Sequence, residues 1–503
     1  KRYDKSLLVR EALNDDEIHA SIGSTISSCV GSANGVQRIS GDDSLTGFGL
    51  SSVPTILLLQ NDLMSEDEEH GGDNDGEDWP LISLDEWVSS NSGGVLSLLD
   101  VRSTSKFKEQ RLGKPLNVVN IPIDELKGRR FELPPRHIGF AIMVEAMEND
   151  GHLGTLEDCF GTRRSSRQTG DDGGTVNHSE QPRKRKREGQ QKPWKVQGLI
   201  SADDNAWDQA KRLGLLSSTL QTCGTTPLPR LWEPDLMVRD LLFPAILDAV
   251  TGKNAERATI EIWDLGSGSG RDVCFLAEEL KQSLSSNQQQ TNIANQVSFR
   301  VVAMDQRYRA KRNPNHGVAH EEECQQFWSR RGVGDLIECL EIDLMEPTKF
   351  TSMLEERARR ALQLDSDGSA HKTPSAQRIL VVFAVRFWSR LLVKDFVAET
   401  LVKFCQTSPD VASSGSRTTV IFAISQFGKQ SVGASWNFAH PKEKHVLERD
   451  ELKSIFQSTS LSSNKESWNV LHDRVVADSD HGRTLVQFVA ESSSIAKDQD
   501  SNT

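Results

Sequence analysis

Apolar positions along the 503-residue chain fall into two series of short runs and helical stripes, separated by stretches with no period. The first series opens near Trp79. The runs "GVLSLLDVR", "NVVNIP", "IGFAIMVE" and "WKVQGLI" are short, apolar and bounded by turn residues, which predicts buried strands. "DDNAWDQAKRLGLL" follows them at helical spacing, so residues 80–215 are expected to form a small α/β domain. The second series covers 225–492. It predicts a helix over "DLMVRDLLFPAILDAV", then strands at 258–265, 297–304, 337–342, 379–385 and 418–424 with helical spacing between them. The last two runs, "WNVLHDRVVA" and "GRTLVQFVAE", are joined only by the polar turn "DSDH". A parallel pair would need a long crossover, so an antiparallel hairpin is expected. Strands alternating with helices predict an α/β chain with a doubly wound sheet in its second half.

Three stretches lack any period. Residues 1–79 hold only "SLLVREAL" and "VPTILLLQ" as structured candidates, and then "SEDEEHGGDNDGED", whose eight carboxylates between Glu66 and Asp78 repel one another. A mostly disordered leader with an acidic linker is expected there. A Gly-, Gln- and charge-rich insertion at about 168–192 interrupts the small domain, and 493–503 form a polar tail. The insertion contains "RKRKR", from Arg183 to Arg187, which suits a nuclear import signal, a nucleic-acid contact or a solvated loop drawn to the acidic leader.

Composition narrows the function classes. Hydrophobic residues make up 36% and charged residues 26%, and no run approaches the roughly 20 apolar residues of a membrane-spanning helix. A soluble chain without membrane contact is expected. The net charge of −13 argues against nucleic acid as a partner, because phosphate contacts need clustered Lys and Arg. Seven cysteines, at 29, 159, 223, 274, 324, 339 and 405, form no C-x-x-C pair and no Cys/His ligand spacing. Free thiols and no metal site are expected. The chain starts with Lys and shows no signal or transit pattern, so the cytoplasm is the expected location. The alternatives are the nucleus, through the basic run, or an organelle after loss of a leader.

The chemistry concentrates in "EIWDLGSGSGRDVCFLAEEL", residues 261–280. Strand "TIEIWDL" feeds the turn Gly266-Ser267-Gly268-Ser269-Gly270, and Val273, Leu276, Ala277 and Leu280 then mark a buried helix face. Ligands of such sheets bind beyond the carboxyl ends of the strands. A phosphate-binding P-loop requires Lys-Ser/Thr after the turn, and Arg271-Asp272 stands there instead. A dinucleotide turn places its third glycine one residue later and an acid about 20 residues on, whereas the next strand-end acid, Asp305, lies 39 residues beyond Gly266. The polar run "SLSSNQQQTNIANQ", expected as a loop, accounts for that gap. S-adenosyl-L-methionine fits better, since it offers an ammonium, a ribose diol and an adenine without phosphates. Asp264 can meet the ammonium, Asp305 in "FRVVAMD" the ribose hydroxyls, and Asp343 in "LEIDLME" the adenine amino group, with the Leu344 backbone facing the ring. Each acid taken singly also suits a helix cap or turn.

With these motifs, residues 225–492 resemble the class I S-adenosylmethionine-dependent methyltransferases. The resemblance implies a Rossmann-like methyltransferase sheet with a C-terminal antiparallel hairpin, and cofactor contacts from Gly266, Ser267, Gly268, Gly270 and, in the fourth strand, Phe383. After that strand, "VVFAVRFWSRLLVKDFV" places Arg386 and Arg390 four apart around Phe387 and Trp388. Two guanidiniums there could fix an anionic acceptor, or pair with acids at the sheet edge. Relatives with this arrangement tend to carry a histidine where Ser389 stands, so a general base is missing at that position. A thiol-like acceptor needs least proton removal. Arg230 and Trp232 in the lead-in suit a cofactor cover or a core contact, and His440 and Lys442 are acceptor-side candidates.

"LLDVR", "NVVNIPIDEL" and "RRFELPPR" together resemble a rhodanese domain over roughly 80–145 and 193–215. Active rhodaneses carry a cysteine directly after the following strand, and here Glu145 occupies that place. Cys159 lies 14 residues later in "GTLEDCFGTRR", which also reads as a helix in which the thiol packs. The sequence therefore predicts a methyltransferase acting on a small anionic or thiol-like acceptor, with a silent rhodanese-like domain for support or binding. The competing expectations are a non-enzymatic scaffold of two decayed domains, and methylation of a nucleic-acid or protein acceptor.

Overall fold

The structure, a computed structural model, describes residues 79–91, 96–136, 138–145, 150–161, 194–217, 229–251, 257–290, 296–308, 319–346, 348, 350–362, 376–403, 417–438, 441–458, 468–477 and 483–494. The acidic leader, the basic run 183–187, His440 and the C-terminal tail lie outside the described residues. All described residues belong to one compact unit, residues 73–503.

Four short strands build the first sheet: β1 (Ser97–Asp100), β2 (Asn117–Asn120), β3 (Phe140–Val144) and β4 (Val196–Ser201). They run parallel in the order β2-β1-β3-β4. β1 and β3 are buried along their whole length, as parallel strands covered on both faces must be. Leu98 joins Trp87 and Trp207 on one face, while Leu99 joins Ile142 and Phe160 on the other. Where β1 ends, Asp100 receives a two-pronged contact from Arg102, with Nη2 at 2.7 Å and Nε at 3.0 Å. Both side chains are at most 4% exposed, and the guanidinium also donates to the Gln110 carbonyl and lies 4.7 Å over the Trp207 ring.

The second sheet has seven strands: β5 (Arg257–Leu265), β6 (Gln296–Asp305), β7 (Ile337–Glu341), β8 (Ala376–Val385), β9 (Arg417–Phe427), β10 (Asn469–Ala477) and β11 (Thr484–Ser494). Their order is β7-β6-β5-β8-β9-β11-β10. β5 to β9 are mutually parallel, and β11 runs antiparallel to both β9 and β10, giving the expected terminal hairpin. The chain leaves β5 toward β6 on one side and later returns to β8 on the other. The carboxyl ends of β5 and β8 therefore form the switch point where a doubly wound sheet opens a crevice. Apolar side chains on alternate sides of these strands pack into two clusters, one containing Trp263, Phe422 and Phe456 and the other Ile262, Phe327 and Phe383.

One local expectation changes. The polar run beginning at Ser283 is helical as far as Gln290, in helix α1 (Arg271–Gln290). No Gly or Pro interrupts those twenty residues, so nothing in them stops the helix where apolar periodicity ends. Among the described residues no helix is long and apolar enough to cross a membrane.

The buried Asp100–Arg102 contact supports the first sheet. Replacing Asp100 with Ala leaves the Arg102 charge buried and half-partnered, and should destabilise that region by about 3 kcal/mol. Urea unfolding of the full chain followed by tryptophan fluorescence checks this, since Trp207 stacks on the same guanidinium.

Candidate functional site

Five residues connect β5 to α1. Gly266 and Gly270 hold φ at +81° and +67°, and Gly268 between them holds +62°, a region that side-chain-bearing residues enter at a cost. Space is also lacking. A Cβ on Gly266 would come within 2.9 Å of Phe387, and one on Gly270 within 2.4 Å of the Trp328 ring. Trp328, from helix α2 (His320–Arg330), donates its indole N–H to the Gly270 carbonyl at 3.0 Å. On the other side the N–H groups of Gly266 and Ser267 both donate to the Met304 carbonyl, and the Ser267 hydroxyl meets the Tyr308 hydroxyl at 2.5 Å. The turn is thus fixed to the end of β6 and lies at the switch point.

Three acids influence one another around it. Asp264, next to last in β5, is 2% exposed, and its carboxylate has no hydrogen-bond partner among the described residues. Burial, reinforced by Asp272 and Asp305, pushes its pKa well above the ordinary carboxylate value. Burial and then Asp235 push Asp272 up to about 7, although one of its oxygens accepts the Asp235 N–H at 2.8 Å. Asp305 behaves differently. Burial opposes its ionisation, but it accepts the Gly268 N–H at 2.9 Å, the Arg307 N–H at 2.8 Å and the Arg307 guanidinium at 2.9 and 3.1 Å. Those bonds outweigh burial and hold its pKa below the ordinary value. Asp343 follows β7, where one oxygen accepts the Met345 N–H at 3.0 Å and closes a tight turn beside the buried Leu344.

Beyond β8 the sequence-derived candidates separate. Arg386 has φ +57° and donates its N–H to the Ser425 carbonyl at 2.7 Å. Its charge acts on Asp272, and its guanidinium carbon lies 5.7 Å over the Phe427 ring. Phe387 packs on Gly266 and against the same cluster in which Trp388 is buried with Trp263. Arg390 turns away to form a bidentate pair with Glu451 at 2.5 and 3.0 Å and donates to the carbonyls of Lys444 and Val446. It fastens the loop before the helix Glu451–Ser458, so the acceptor role expected for it gives way to the edge-pairing alternative. Phe383 is fully buried in the cluster on one face of the sheet, with Ile262 and Phe327. Trp232 packs edge-on against Phe327, and Arg230 bridges Glu278 and Glu279, so both act in the core rather than as a cover. Lys442 is exposed.

The residues missed in the sequence are those that hold the turn from outside its motif: Asp235, Tyr308, His320 and Trp328. No local pattern marks them. Asp272 did carry a signal, an acid two places after the last glycine, but that position served only to argue against phosphate.

In the first sheet Glu145, directly after β3, pairs with Lys106 at 2.7 Å beside a cavity of about 380 Å³ that Arg102, Ser103, Thr104, Asp124 and Glu125 also line. Among the described residues no cysteine lines it. Cys159 is half-buried in the helix Asp150–Phe160, and burial raises its thiol pKa against the opposing pull of Lys127. A protonated, packed thiol is a poor nucleophile.

No family model matches the chain, and no curated protein matches it. Solved structures do. A candidate transferase from Pyrococcus horikoshii matches at 8% identity and a TM-score of 0.19, over 49% of this chain and 61% of that one, less than two thirds of its length. TYW2 from P. horikoshii, in complex with MeSAdo, matches at 11% identity and a TM-score of 0.20, over 58% of this chain and 82% of that one. Likeness at this level carries no argument, and the strand order described above gives a doubly wound, mostly parallel sheet with a terminal antiparallel hairpin.

The unpartnered Asp264 carboxylate should cost stability. Its folded pKa lies above its unfolded value, so its ionisation weakens the fold as pH rises from the unfolded value through the folded one. Asp264→Asn should therefore be more stable than the parent chain near neutral pH, by about 1–3 kcal/mol, with the difference disappearing in acid. Thermal melts of both chains between pH 4 and 8 measure it.

Proposed function

We propose that the chain binds S-adenosyl-L-methionine at the glycine turn and transfers its methyl group to a small anionic or thiol-like acceptor. The observation that carries this reading is Asp264, a 2%-exposed carboxylate without a partner, set beside Asp272 and Asp305 at the switch point. Buried acids left unpaired favour a cation. A nucleotide would bring phosphates against three carboxylates and meet repulsion, whereas S-adenosylmethionine brings an ammonium and a sulfonium. When bound, that cofactor supplies an activated methyl group on sulfur.

Asp264 holds the ammonium, with Asp272 adding negative charge nearby. Asp305 accepts the ribose hydroxyls in exchange for Arg307, whose side chain is 55% exposed and free to move to solvent. Asp343 and the Leu344 backbone stand at the end of the next strand but one from β5, where the adenine extends. Arg386, beside Asp272, orients an anionic acceptor, and Phe387 walls the turn. With Ser389 buried in place of a base, rate comes from in-line positioning. A thiolate acceptor suits that arrangement. The rhodanese-like region carries Glu145 rather than a cysteine directly after β3, and in this reading it supports the second domain rather than moving sulfur.

Calorimetry with the intact chain beside Asp305→Ala tests the reading. Micromolar binding by the parent chain, weakened at least tenfold in the variant, is expected. No binding by the parent chain would overturn it and leave a scaffold of two silent domains.

The same titration repeated across pH tests the electrostatics. A carboxylate must be ionised to attract an ammonium, and Asp272 titrates at about 7. Affinity should fall as pH drops from 8 to 6, by up to about tenfold per unit for one linked proton.

A further inference from the structure

Four residues of the first domain, Arg130–Leu133, reach across to the glycine turn of the second. The first three end the 3-10 segment Ile123–Glu132, which begins at the cavity after β1 and β3, and Leu133 follows it. Arg271, the residue directly after Gly270, donates from Nε to the Phe131 carbonyl at 2.8 Å and from Nη2 to the Leu133 carbonyl at 2.8 Å. Arg130 pairs with Glu323 at 2.5 Å. Glu132, 4% exposed, accepts from Arg330 at 2.7 Å while Arg129 holds its other oxygen. Both Glu323 and Arg330 belong to α2, the helix whose Trp328 fills the space under Gly270.

The contact continues into the turn. The Phe131 ring meets the His320 ring edge-on at 5.5 Å, and Tyr308 stacks on His320 at 5.7 Å. His320 Nε2 lies 2.7 Å from the Gly268 carbonyl. A carbonyl can only accept, so Nε2 carries the proton. On its other side Gly268 donates its N–H to Asp305. An unbroken chain of contacts thus runs from Phe131 through His320 and Gly268 to the proposed ribose acceptor.

We propose that the first domain is a clamp for the cofactor turn, in which Arg271, Phe131 and His320 are positioning residues that hold Gly268 in its ligand-binding conformation. A turn with three left-handed glycines has little stiffness of its own, because glycine populates many backbone states. Apparent affinity falls in proportion to the fraction of molecules holding the competent turn. The clamp raises that fraction from outside the binding site. The affinity part of the proposal rests on the cofactor reading above, whereas the stiffening of the turn does not.

Two measurements on the full chain keep these parts separate. The first is hydrogen exchange of the turn, residues 264–272, without ligand, in Phe131→Ala, Arg271→Met, His320→Ala and His320→Gln. Arg212→Ala, which removes only the exposed pair with Asp85, is the control. Exchange in the turn should quicken at least tenfold in the first three, return toward the parent rate in His320→Gln, which keeps a donor for the Gly268 carbonyl, and stay unchanged in the control. The second is S-adenosylmethionine affinity, expected to weaken about tenfold in the same three variants. Parent-like exchange in the turn of both Arg271→Met and His320→Ala would overturn the clamp, even if Phe131→Ala had disturbed the first domain. If the parent chain bound no cofactor, the cofactor reading would fall while the exchange data still judged the clamp.

Discussion

The reversal between β5 and α1 constrains everything around it. The chain leaves the central strand at Leu265 and enters a helix at Arg271, and it does so with three left-handed residues spaced two apart. Glycine makes the path possible but does not hold it, so the holding is done by other segments: the Met304 carbonyl, the Tyr308 hydroxyl, the Trp328 indole and the Phe387 ring. Phe387 and Trp328 also fill the space that a side chain at Gly266 or Gly270 would need.

The acids at that crevice are placed by the sheet and cannot withdraw. Asp264 pairs in register with Ala303 on one side and Phe383 on the other, inside a strand hydrogen-bonded along both edges. Its carboxylate is held where water is scarce, and no cation among the described residues is bonded to it. Asp305, one strand over, meets the same burial with Arg307 as a resident partner. The two acids therefore differ in their surroundings: Asp264 has no bonded cation among the described residues, while Asp305 has a guanidinium bonded to it. Sites that depart from optimal stability in this way are where function commonly sits.

Strand positions and the hairpin were legible in the sequence because burial imposes a period that short-range patterning records. The strand-end acids were legible for a related reason, since a charged residue closing an apolar run has few structural alternatives. Phe383 and Arg390 show where that reasoning stops. Periodicity tells that Phe383 is apolar in a strand, not which side of the sheet it faces, and Arg390 four residues after Arg386 does not reveal that Glu451 lies within reach. The clamp was out of reach altogether: Arg271 and the Phe131 carbonyl are 140 residues apart, and backbone carbonyls leave no mark in a sequence. "RRFELPPR" suggested a domain resemblance and nothing about its partner.

Arg386 brings the two halves of the site together. A non-glycine residue at φ +57° costs about 1–2 kcal/mol, so such a residue persists only where its surroundings over-determine it. Here its N–H is taken by Ser425 on the adjacent strand β9, and the Ser425 hydroxyl donates to Asp235 at 3.1 Å. The Asp235 N–H in turn donates to Asp272, at the start of α1. The circuit therefore runs from the end of β8 through β9 and the lead-in segment to the glycine turn, and it brings the Arg386 charge to bear on Asp272. An ordinary strand conformation at Arg386 would continue β8 and carry the guanidinium past the crevice. The left-handed residue instead turns the chain at the switch point, so that the Arg386 charge stands beside the acids that flank the glycine turn.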